Sequence, residues 1–71
     1  MRVTLQRANE IIERSGVNDM RWPGRVFASR EGGEKDDHVT ITAANYKARV
    51  LLECQATHQV EKIKAMIRFS Y

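Results

Sequence analysis

The sequence has 71 residues, enough for one domain, residues 1–71, with a thin core and no room for a second. Hydrophobic residues make up 42% with no repeat or low-complexity tract, which argues against disorder, and the longest apolar runs, such as Val50–Leu52, exclude a helical membrane span. A single cysteine, Cys54, excludes an internal disulfide, and Arg7, Glu10, Glu13 and Arg14 interrupt any candidate secretory leader, so a reducing, cytoplasmic setting is expected.

Leu5–Ser15 predicts an amphipathic helix. Thr4 is placed to cap its start, Leu5, Ala8, Ile11 and Ile12 recur on one face, and Glu10 and Arg14 form an i,i+4 pair in the favourable order. Gly16 supplies the left-handed residue that ends such a helix, with Val17 folding back on Ile12. Asn18–Gly24, with the single proline, is a connecting turn. Arg25–Arg30 has the β-branched and aromatic content of a strand with imperfect alternation, and residues 31–37 (EGGEKDD) form a solvated loop. His38–Ala43 alternates cleanly, Val39, Ile41 and Ala43 against His38, Thr40 and Thr42, as a half-buried strand does.

Two assignments compete for the next stretch. Tyr46–Ala56 alternates as a third strand, placing Val50, Leu52 and Cys54 on one face and Lys47, Arg49 and Leu51 on the other. Its composition instead suits one long helix from about Ala43 to Ile67. The alternation favours the strand, joined to its predecessor by a tight Ala44-Asn45 turn, and Thr57 then caps a final helix with Val60, Ile63 and Ile67 on its apolar side. The tail Ile67–Tyr71 fits either an extension of that helix or a short strand. The expected architecture is α+β, in the order helix, three-stranded antiparallel sheet, helix (αβββα), with both helices on one face of the sheet. This layout resembles double-stranded RNA-binding domains and some small toxins in topology alone: the lysine cluster that would open the second helix of an RNA-binding domain is replaced by His58-Gln59-Val60-Glu61.

Nothing in the chain carries a catalytic or phosphate-loop motif, so a non-enzymatic protein without metal or cofactor is expected. Cys54 and His58 stand at i,i+4, but in the strand assignment they fall on different elements, and a lone cysteine most often acts as a small buried apolar group. His38, Cys54, His58, Asp36 and Asp37 show no metal-ligand spacing.

Charge is more informative. Residues 1–30 carry six arginines against three acids, residues 31–37 four acids against Lys35, and residues 38–71 five bases against two acids, so two basic segments flank one acidic loop. Arginine supplies eight of the twelve cations, which suits phosphate contact. The predicted sheet collects Arg25, Phe27 and Ser29 from its first strand, His38, Thr40 and Thr42 from its second, and Lys47 and Arg49 from its third on the face away from the helices, with Arg30 close by. Cations that meet phosphates beside an aromatic that stacks on a base are the chemistry of sheet-faced single-strand binders, so nucleic acid is the first expected partner. An ordinary solvated antiparallel face has the same composition. The alternative is a protein-binding inhibitor or adaptor, of the kind encoded by phages and mobile elements, acting through Trp22, Leu51, Phe69 and Tyr71. A core this thin also leaves homo-oligomerisation open.

Overall fold

Helix α1 runs from Leu5 to Ser15 in the computed structural model, which describes residues 1–22, 24–30 and 37–70. Its limits are set as the sequence implies. Thr4 Oγ1 accepts from the Arg7 backbone N–H at 3.1 Å, and Gly16 closes the helix at φ 75°. Ala8 and Ile12 are buried and Ile11 packs on them, while Leu5 remains partly exposed. Glu10 pairs with Arg7 at 3.2 Å, so the i,i+3 neighbour, not Arg14, takes it. The residues after Gly16 form a 3₁₀ turn, Val17–Asp19, that drives Val17 into the core.

Three strands follow, β1 (Val26–Ser29), β2 (Val39–Ala43) and β3 (Tyr46–Val50), antiparallel in the order β1-β2-β3. Helix α2 (Glu53–Ser70) follows β3; α1 packs mainly over β1 and α2 over β3, both on one face. The architecture is therefore αβββα, as expected. Its core is built from valine, isoleucine and alanine, with Trp22 and Tyr46 packed at its margin.

The boundary between β3 and α2 corrects the sequence reading. Alternation ends at Val50, and residues 53–56 are helical, so neither a strand to Ala56 nor a helix from Ala43 is formed. The cause lies in the junction. Gln55 Oε1 accepts from the backbone N–H groups of Leu51 and Leu52 at 2.8 and 3.1 Å, reaching back over the first turn as a capping-box side chain does. Residues 1–3 complete the cap: the Val3 N–H donates to the Leu51 carbonyl at 2.9 Å, and the Glu53 N–H donates to the Met1 carbonyl at 3.1 Å. Thr57 is consequently inside the helix, its hydroxyl donating to the Glu53 carbonyl at 3.0 Å, and not at its start. The buried stripe is Ala56, Val60, Ile63 and Ile67, a helical row that begins one position before the expected cap. Leu52 and Cys54 do not face the core: Leu52 is partly exposed and Cys54 exposed. The tail continues the helix through Ser70, and Tyr71 lies outside the described residues.

Polar contacts lock the helices together. Lys64 Nζ donates to the Ser15 carbonyl at the end of α1 at 3.0 Å, where a cation suits the helix dipole. Arg7 joins Glu10 to Glu53 of α2, with Nε 3.4 Å from Glu53 Oε1.

The outer edge of β1 is closed by two asparagines. Asn18 Oδ1 accepts from the Val26 N–H at 2.8 Å while its Nδ2 donates to the Val26 carbonyl at 2.9 Å, and Asn9 Oδ1 accepts from the Ala28 N–H at 3.0 Å. Two carboxamides thus stand where another strand would pair, which blunts the edge against association.

The β2–β3 turn stores strain. Ala44, not Asn45, takes the positive φ, at 53°, a conformation that disfavours a Cβ. Ala44→Gly should stabilise the protein by about 0.5–1 kcal/mol, after allowing for the extra freedom glycine gives the unfolded chain. Thermal denaturation should show this as a rise of several degrees in Tm.

Candidate nucleic-acid interface

Strand alternation and register together define the face opposite the helices. Val26, Ala28, Val39, Ile41, Ala43 and Val50 are buried toward α1 and α2. Tyr46 marks the same side, its hydroxyl donating to Gln59 Oε1 of α2 at 2.7 Å. The other face therefore presents Phe27 and Ser29 from β1, Thr40 and Thr42 from β2, and Lys47 and Arg49 from β3. Register arranges these in two cross-strand rows, Phe27–Thr42–Lys47 and Ser29–Thr40–Arg49. His38, just before β2 and with the parity of Thr40, lies next to the second row, with Arg49 Nη2 donating to its Nδ1 at 3.0 Å.

The centre of this face is drier than a half-buried strand implies. Thr40 and Thr42 are only 6% and 8% exposed although no helix covers them, because β2 is central and long neighbours flank both threonines across the ladder. Phe27, by contrast, is 43% exposed, which explains the imperfect alternation of β1: its larger apolar residue points away from the core. Thr42 Oγ1 and Ser29 Oγ are both buried without a hydrogen-bond partner. An unpaired buried hydroxyl costs about 1–3 kcal/mol, and the fold offsets that cost at two neighbouring positions beside Phe27.

Phe27, Lys47 and Arg49 are brought onto one surface. Arg25 and Arg30 are exposed but placed differently. Arg25 lies in a groove of about 710 Å³ along the outer edge of β1, with Glu13 and Asp19 beside it and Phe27 on its wall. Arg30 follows β1 with the parity of Ala28, so alternation does not deliver it to the open face.

No known protein family, curated protein or solved structure matches the chain. The chemistry must be judged from the face itself and from the residues set against it. Of the candidate protein-contact residues, Trp22 is half-buried against the core and Leu51 is half-buried in the junction between β3 and α2, so Leu51 is not on an outward strand face. Phe69 is 92% exposed on the last turn of α2, and Tyr71 is outside the described residues. Cys54 and His58, assigned to different elements by the strand reading, share α2 one turn apart and line a groove of about 240 Å³ with Arg49. Among the described residues no group of three or more metal-ligating side chains forms, and no helix is long and apolar enough to cross a membrane.

Two features of the site escaped sequence reasoning. Parity already puts the Ser29 and Thr42 hydroxyls on this face, but their burial without a partner depends on cross-strand register, which alternation alone does not fix. Asn9 carried a visible signal, since asparagine is a poor residue for the middle of a helix unless its side chain has work elsewhere.

Proposed function

We propose that this protein is a non-enzymatic binding module that holds the phosphate backbone of a nucleic acid on the open face of its sheet, without strong readout of sequence. The observation that supports it is the placing of Lys47 and Arg49 at successive outward positions of β3, across the ladder from an exposed Phe27 on β1. Two cations at this spacing meet consecutive phosphates, while the aromatic ring offers a surface to a base. Arg25 and Arg30, at the two ends of β1, widen the positive field, Arg25 less so because Glu13 and Asp19 stand in its groove. The test is a fluorescence-anisotropy titration against single- and double-stranded RNA and DNA across a range of salt concentrations. Binding that weakens steeply with salt supports this role, and absence of binding to all four overturns it.

A second role as a protein-binding inhibitor or adaptor is favoured by Phe69, which is almost wholly exposed on α2. Under that role Phe69→Ala weakens partner binding more than any single charge does, because desolvated anchors dominate protein interfaces.

A further inference from the structure

The row Phe27–Thr42–Lys47 places three different chemistries side by side across the sheet: an exposed aromatic ring, a hydroxyl and an ammonium group. Strands lie about 4.8 Å apart, so the row spans about 10 Å, the scale of one nucleotide from base to phosphate. Thr42 is only 8% exposed, and its Oγ1 has no hydrogen-bond partner; Ser29 Oγ, in the neighbouring row, has none either. Neither hydroxyl contributes to holding the fold, since a valine of the same shape would occupy the Thr42 position without leaving a polar atom unsatisfied. Their position beside an exposed phenylalanine points outward, to a ligand that carries hydrogen-bonding edges around a flat ring.

Building on the nucleic-acid role of this face, we infer that the row Phe27–Thr42–Lys47 receives one unpaired base and its phosphate, which makes the ligand a single strand. The base stacks on the Phe27 ring, Thr42 Oγ1 bonds its edge, and Lys47 meets the phosphate. Polarity across the row follows from charge. Beyond Phe27 lies the groove where Glu13 and Asp19 outnumber Arg25 and disfavour phosphate, whereas Lys47 and Arg49 occupy the β3 side with no acid among the strand's residues. The backbone therefore runs over β3, and the bases point toward β1. The hydroxyl is both donor and acceptor, so it bonds any base edge and adds affinity without selecting a sequence. The base reaches Thr42 Oγ1 only after a neighbouring side chain moves aside. Lys47, directly across the ladder, is long and flexible, and turning toward a phosphate achieves this. A duplex, whose bases are already stacked on one another, offers Phe27 no free ring face.

Thr42→Val and Phe27→Ala separate this site from general phosphate contact. The probes are a short fluorescein-labelled oligouridylate, the matching oligodeoxythymidylate and a duplex of equal length, with folding of each variant checked by circular dichroism and thermal melting. Thr42→Val should melt no lower than wild type, since it removes an unsatisfied hydroxyl, yet bind the single strands several-fold more weakly. Phe27→Ala should weaken single-strand binding about fivefold or more, the lower end of what losing a base stack costs, and Phe27→Trp should restore it. Both variants should leave the salt slope unchanged, because the cations remain. Wild-type affinity in Thr42→Val and Phe27→Ala, or equal affinity for duplex and single strand, would overturn the base site while leaving phosphate binding intact. Failure of the wild type to bind any of the probes would overturn the nucleic-acid role and the base site together.

Discussion

Val50→Asp is expected to abolish cooperative folding, whereas Arg49→Ala, one residue earlier on the same strand, should leave Tm within a few degrees of wild type. Val50 is 1% exposed and lies opposite Val39, which is fully buried, so a carboxylate there is cut off from water. Leaving such a charge unpaired costs several kcal/mol. A domain this small has a total stability near the low end of about 5–15 kcal/mol, so that one change consumes most of it. Arg49 projects to the other side, where its contact with His38 is exposed and correspondingly weak. Circular dichroism with a urea titration distinguishes the two: Val50→Asp should show no sigmoidal transition, and Arg49→Ala should keep the wild-type slope. A folded Val50→Asp protein would mean that the last rung of the sheet is not closed as described.

The second large effect concerns charge. Replacing Arg25, Lys47 and Arg49 together by alanine should flatten the log-log dependence of single-strand affinity on salt by about 1.4–2, because Lys47 and Arg49 each remove a single-strand phosphate contact of about 0.7 through counterion release and Arg25 removes less. Affinity at moderate salt should fall for every sequence alike, since backbone contacts carry no sequence information. Most of the loss should follow Lys47 and Arg49, with Arg25 contributing least because two carboxylates share its groove. All three side chains are exposed, so the triple variant should fold normally. A triple variant that binds with wild-type affinity and slope would remove the sheet face from consideration and leave the apolar end of α2 as the stronger candidate.

The sequence made some elements legible because one local signal decided each of them. Thr4 and Gly16 frame α1 as cap and terminator, and the strict alternation of Val39, Thr40, Ile41, Thr42 and Ala43 specifies β2 without help from the rest of the chain. The β3–α2 boundary was not legible, because two local signals overlap there. Alternation persists past Val50 by coincidence of composition, while Gln55 and residues 1–3 impose the helix start through contacts that no local window contains. Cys54 followed that error: on a strand it faces the core, and on the first turn of α2 it faces solvent. The open face was readable in composition, because parity alone puts Phe27, Lys47 and Arg49 together. Its distinguishing chemistry, two unpartnered hydroxyls beside the ring, depends on register and burial that only the assembled sheet defines.

Residues 1–3 hold the start of the longest helix among the described residues, through Val3 to Leu51 and Met1 to Glu53. The α1–β1 packing and the β1-β2-β3 meander join segments close in sequence, whereas this contact, like the packing of α1 on α2, draws distant parts of the chain together. The contact itself holds only two backbone hydrogen bonds and the burial of Val3, beside the more extensive packing of α1 on α2, which places it among the first to open. Amide hydrogen exchange should therefore find the Val3 and Glu53 protons sharing one opening event, faster than exchange from Ile41 at the centre of the sheet. Removing residues 1–3 should speed exchange from Glu53 while Ile41 stays protected, which would mark residues 1–3 and the head of α2 as a single cooperative unit that breathes independently of the sheet.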